Sequence, residues 1–330
     1  MVGLGRLRVK GIHRGTRMEL ILKLVIIGLS TGAIYALIAL GYTMVYGIIE
    51  LINFAHGDIF MMGTLVTLTI MSWFGIVAEN PPQILTWDLV VKLAIVAIGS
   101  FLACAVLGII IERVAYRPLR NAPRLAPLIS AIGVSLVLQD TGKLWKGNVD
   151  IPFPSLPFAS FQVGFVSISS ITVFMLLVAL ILMVALHVLV ARTRLGRAMR
   201  AVAQDREAAA LMGVNVNRII SMTFFIGAGL AGAAGFIYSL QFPNTKFSIG
   251  YDLGLVAFTC AVLGGIGNIV GAMVGGLVIG IVRSLVSIIP STVLPHGGDA
   301  WASAVVYGVL ILVLVFRPSG LLGQQVPEKV

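Results

Sequence analysis

The sequence predicts an all-α fold: a polytopic transmembrane helix bundle of eight long helices plus two short broken helices, built as a parallel internal repeat. Three observations carry this. Apolar stretches of about 20 residues recur down the whole chain, each long enough to cross a bilayer. Hydrophobic residues make up 58% of the chain and charged residues 11%, whereas a soluble domain carries about 25% charge. Lysine and arginine gather in a few short segments, as they do in the cytoplasmic loops of membrane proteins. With a mean hydropathy of +1.04, a soluble body would lack the polar surface to cover itself.

The long apolar segments run over 20–41, 57–77, 90–115, 125–142, 168–191, 217–240, 267–289 and 299–316. Before the first lies a basic, glycine-rich extension, 1–18, with Arg6, Arg8, Lys10, Arg14 and Arg17. The apolar run from Leu20 is long and lacks a small-x-small cleavage site, so it is expected to be a retained first helix rather than a signal peptide. Met1 and Met18 both stand as possible starts. The membrane domain is placed at 19–320, with a cytoplasmic loop at 192–216, and a cytoplasmic tail follows at 321–330.

Two apolar pieces, 42–52 and 252–264, are too short to span alone. The first runs into Asn53-Phe54-Ala55-His56-Gly57-Asp58; the second ends at Gly264-Gly265-Ile266-Gly267-Asn268. Arginines at 113–124, at 192–218 and at Arg317 mark the inside, as the basic extension marks the N-terminus. Both termini are therefore expected inside. Counting passes between these segments requires each short piece to return the chain, so each half of the chain carries a short helix, a glycine break and a long helix. Broken helices at corresponding places point to a transport pathway, because irregular backbone at membrane depth survives only inside protein or beside a water-filled cavity. Asn53, His56, Gly57, Asp58, Gly264, Gly265, Gly267 and Asn268 are the residues this assigns to the pathway. The equal alternative for His56 and Asp58, with Glu50 one turn earlier, is a solvated position near the surface.

The net charge of +10 is explained by the same loops; no aromatic-basic interleaving points to nucleic acid. Cys104 and Cys260 sit in apolar runs and read as small packing residues. Gly28 with Gly32, and Gly267, Gly271 and Gly275 in series, have the four-residue spacing that lets helices approach closely. Arg283 lies inside the segment 267–289, where it snorkels, pairs with an acid such as Asp252, or lines the pathway. No phosphate-binding glycine loop, catalytic triad or carboxylate pair is present, and His13, His56, His187 and His296 show no metal-ligand spacing.

The loop ARTRLGRAMRAVAQDREAAALMGVNVNR favours helix from Leu195 to Met212, with Gly213 as its C-cap. Glu207, Ala208 and Ala209, followed by Gly213, match the EAA-x-x-x-G pattern of ABC importer permeases, in which such a segment docks on an ATPase subunit. An ordinary surface helix accounts for the same letters.

Over nearly the whole chain after Met18 the sequence resembles the LivH-type branched-chain amino acid permeases. The resemblance rests on GLSTGAIYALIALGYTMVYGIIELINFAHGDIFMMG at 28–63, ERVAYRPLR at 112–120, LISAIGVSLVLQD at 128–140, AVLGGIGNIVGAMVGGLVIGI at 261–281 and VFRPSGLLG at 315–323. It implies a permease in a bacterial cytoplasmic (inner) membrane. Its partners would be a LivM-type permease subunit, LivG- and LivF-type ATPase subunits and a periplasmic or lipid-anchored substrate-binding protein. This chain would bind no cofactor, ATP and Mg being held by the ATPases, and would be no enzyme. Leucine, isoleucine and valine are the implied substrates, with urea or short amides as the alternative. A stand-alone channel or secondary transporter would explain the breaks but not the loop; an intramembrane enzyme would need a constellation that is absent.

Overall fold

The computed structural model describes residues 14–49, 52–120, 122–123, 125–163 and 166–323; most of the basic extension, Glu50, Arg124 and most of the tail lie outside them. The fold is an all-α bundle. Its helices are α1 (Arg14–Ile49), α2 (His56–Trp73), α3 (Trp87–Ile111), α4 (Leu125–Lys146), α5 (Ser170–Arg192), α6 (Arg194–Gln204), α7 (Arg206–Leu211), α8 (Val216–Gln241), α9 (Ile249–Gly264), α10 (Ile269–Ser287) and α11 (Gly298–Phe316). The strands are short: β1 (Ile151–Pro152) pairs with β4 (Asn244–Thr245), and β2 (Ser160–Val163) forms a hairpin with β3 (Val166–Ser169).

Among the described residues seven helices are long and apolar enough to cross a membrane: α1, α3, α4, α5, α8, α10 and α11. The expected eighth is α2, whose 18 residues open on the polar His56 and Asp58. Helices α1 and α8 are mostly buried, whereas few residues of α4, α5 and α11 are. The exposed side chains of the outer helices are large and apolar, among them Leu177, Leu180, Ile181, Ile311 and Leu312. Such an inside-out distribution fits lipid rather than water around the bundle.

Only one of the two expected short helices stands alone. Helix α9 does, but residues 42–49 of the piece 42–52 continue α1, a single helix of 36 residues. Gly41, eight residues before the helix ends, causes no break: it is clasped between the His56 side chain and the Gly227 backbone, and packing outweighs the roughly 1 kcal/mol that glycine costs inside a helix.

This continuity changes the topology. Helices α1 and α10 pack antiparallel, with Gly28 against Ile281, Gly32 against Gly276 and Gly47 against Gly267. The Ser284 hydroxyl donates to the Leu24 carbonyl at 2.7 Å. At the other end of α10, the Asn268 amide donates to the Leu322 carbonyl at 2.7 Å. The start of α1 and the end of the described chain therefore lie at opposite faces of the bundle. Both termini had been expected on one side; that count treated 42–52 as a return pass, and α1 makes none.

Candidate functional site

The segment at 193–216 forms a compact element on one face of the bundle. It is two helices where the sequence suggested one. Asp205 is extended (φ −157°, ψ 114°) and caps α7, its carboxylate accepting from the amides of Glu207 at 2.9 Å and Ala208 at 3.0 Å. Aspartate favours this role over a helix interior because its short side chain competes for backbone donors. At the far end Gly213 takes φ +81°. The Val214 amide donates to Ala209 and the Gly213 amide to Ala210, both at 3.0 Å, which is a Schellman cap. Asn215 then caps α8 through the Arg218 amide at 3.0 Å. Glu207, Ala208 and Gly213 are exposed and Ala209 is buried against the bundle. Beside them Leu211 and Met212 project with 89% and 84% of their surface free, an apolar tip flanked by charge.

Arg206 joins this element to the membrane helices. Its guanidinium donates to the carbonyls of Ile48 at 3.2 Å and Ile49 at 3.0 Å, the last residues of α1. These carbonyls have no partner within their helix, and the helix dipole places partial negative charge there. A cavity of about 300 Å³ separates the two elements, lined by Ile48, Ile49, Arg120, Pro127, Val202 and Arg206. Arg120 on its wall pairs with Glu112, which is fully buried in a π-helical turn (Glu112–Tyr116) after α3 and also pairs with Arg117 at 2.9 Å. Glu112 also accepts from the Ser221 hydroxyl at 2.7 Å, which ties α3 to α8. Burial pulls Arg120 below its ordinary pKa while Glu112 pushes it back up.

The first break reaches from this face into the bundle, where His56 packs on Gly41 and Gly57 on the start of α9, while the second lies at the far end of α9; they do not form one chamber. Asn53, His56, Gly57 and Asp58 are buried within the protomer. Asn53 accepts from the Tyr116 hydroxyl at 2.6 Å and Asp58 from Ser135 at 2.5 Å. The backbone at Gly57 meets Gly250 and Gly254 of α9. Three atoms there, Asn53 Nδ2, His56 Nε2 and Asp58 Oδ1, are buried without a hydrogen-bond partner. Gly264 packs against Gly271. Gly265 (φ +105°) abuts Ser319 and Gly323, and Gly267 has φ +92°. Asn268 caps α10 through the Gly271 amide at 3.0 Å. The second break thus braces the C-terminal segment. The sets approach where Ile52 and Ile266 share one small cavity.

Sequence reasoning missed Arg206, Glu112 and the segment 242–248. The last links α8 to α9 well inside the bundle, since the Thr245 hydroxyl shares a hydrogen bond of 2.8 Å with Thr64, near the middle of α2. Pro243, Asn244 and Lys246 between two apolar helices were its signal.

Seven apolar spans around a packed glycine-rich centre, with one capped helical element projecting from a face, define a multi-pass membrane protein. Residues 24–315 match the family described as branched-chain amino acid transport system / permease component, and the chain belongs to that family. It is 41% identical to the high-affinity branched-chain amino acid transport system permease protein BraD of Pseudomonas aeruginosa, over 92% of this chain and 96% of that one. It is 41% identical to the corresponding LivH protein of Salmonella typhimurium and 40% to that of Escherichia coli, each with the same coverage.

Proposed function

We propose that this chain is the membrane-spanning subunit of an ATP-driven importer that carries leucine, isoleucine and valine across a bacterial cytoplasmic membrane. The named relatives support the substrate class. The observation that carries the coupling is the α6–α7 element. Its exposed Leu211 and Met212 present a desolvatable tip beside Glu207, and Arg206 connects it to the end of α1. Its partners are a second, LivM-type permease subunit, LivG- and LivF-type ATPases holding ATP and Mg, and a substrate-binding protein on the opposite face. ATP binding moves the ATPases, α7 follows them, and α1 with the adjoining breaks rearranges around the pathway. No bond is made or broken on this subunit. The arginines at 192–218 support a cytoplasmic α6–α7 face, with the end of the described chain on that side and the start of α1 on the other.

The test is uptake of labelled leucine, valine and urea by the complex reconstituted with its ATPases and binding protein. Leucine and valine uptake that requires ATP is expected; urea uptake without leucine uptake would move the substrate to the alternative class.

A further inference from the structure

Arg283 sits in α10, one turn before its end at Ser287. An arginine so placed ordinarily snorkels toward the nearer surface. Here the guanidinium turns the other way and lies 5.9 Å from the Tyr35 ring centre of α1, further into the bundle than the Gly28–Ile281 contact. Its Nη1 is buried without a hydrogen-bond partner, and among the described residues no carboxylate pairs with it. A cation held at this depth without an anion is costly, and the face of an aromatic ring offsets only part of that cost.

The acid nearest in register is Asp252. Helices α9 and α10 run antiparallel, with Gly264 against Gly271 and Cys260 against Gly275. Continuing that step of four residues sets Val256 opposite Ile279 and Asp252 opposite Arg283. Tyr307 of α11 lies within electrostatic reach of both. Yet Asp252 turns away from Arg283, to Lys246 at 3.6 Å, and its side chain is 58% exposed. Tyr251 beside it is 60% exposed. Exposed polar side chains following an irregular segment that descends to the middle of α2 do not suit a lipid-facing surface; they suit a water-filled one.

We propose that this seam is the substrate's recognition point on the pathway: Arg283 takes the carboxylate of an α-amino acid and Asp252 its ammonium. This rests on the amino acid transport reading above and adds how the chain reads its cargo. A guanidinium offers a planar fork of donors matched to a carboxylate, and a second, opposite charge one helix away matches a zwitterion and discriminates against solutes that carry no charged groups. The apolar side chain is left free, as suits a carrier of several aliphatic amino acids.

The experiment measures leucine uptake per ATP hydrolysed by the complete complex in proteoliposomes, for wild type, Arg283→Gln, Arg283→Lys and Asp252→Asn. A charged hydrogen-bond donor is worth about 1.5–3 kcal/mol, so Arg283→Gln is expected to lower the ratio about tenfold or more. Arg283→Lys should recover much of the loss, since charge without the fork remains. Wild-type ratios in Arg283→Gln would overturn the assignment. A wild-type complex that hydrolyses ATP but moves no leucine would instead refute the transport reading itself. Independently of any folding defect at Arg283, Asp252→Cys is expected to react with an impermeant thiol reagent from the outer side and to be protected by leucine-loaded binding protein. Absence of labelling would also overturn the proposal.

Discussion

Gly213→Val tests the proposed coupling role of α7 separately from the bundle. A Cβ at Gly213 would meet no atom within 4 Å, so sterics with neighbours contribute nothing and the cost is conformational. At φ +81° an L-residue costs about 1–2 kcal/mol, and a β-branched one lies at the upper end. Helix α7 has six residues, too few to hold itself without its caps. A loss of about 2 kcal/mol therefore converts to roughly a 30-fold fall in the ratio of capped to frayed α7. Gly213→Asn should cost markedly less, because asparagine visits the left-handed region readily. The assay is ATPase co-purification and uptake per ATP hydrolysed at equal expression, with both falling for valine and largely retained for asparagine. Two results would refute the reasoning: wild-type behaviour for valine, or equal damage from the two substitutions.

Three further outcomes are expected. Arg206→Ala removes two charged hydrogen bonds to the end of α1, worth about 1–3 kcal/mol together at this partly exposed site; ATP hydrolysis should continue while uptake per ATP falls, and an unchanged ratio would deny the linkage. Gly57→Ala brings a methyl group to 2.7 Å from the Gly254 Cα, an overpacking of about 1–3 kcal/mol that should lower both the melting temperature and uptake; a wild-type melting curve would show that α2 and α9 separate freely. Thiol labelling from intact cells should reach Ser155→Cys but not Arg197→Cys, both exposed; labelling of Arg197→Cys would reverse the orientation.

The bundle was legible because apolar length and charge clustering are one-dimensional signals. Gly213 was legible for a related reason: a glycine after an alanine-rich helix reports its own backbone conformation. Asp205 was misjudged because its side chain chooses between helix interior and cap according to the few residues on either side. The piece 42–52 was misjudged for a different reason: α1 runs on past Gly41 because His56 and Gly227 pack against that glycine, contacts that no local window contains. Arg206 looked like one more loop arginine. Its partners are main-chain carbonyls far away in sequence, which carry no residue identity to recognise. Glu112 was hidden in the same way, as its burial depends on Arg117, Arg120 and Ser221 arriving from other turns and another helix.

The uninterrupted α1 has a mechanical consequence. Its 36 residues make a rod about 54 Å long at 1.5 Å per residue, well beyond the roughly 30 Å of hydrocarbon it crosses. It is held at its last residues by Arg206 and, ten residues in from its start, by Ser284, and its glycines seat it on the backbone of α10 in between. A rod of that length pivoting about one end sweeps about 1 Å at the other for each degree of tilt. A displacement small enough to be absorbed by side chains at the α7 face thus arrives at the opposite face as a shift comparable to a bond length. A hinge at Gly41 would have dissipated it.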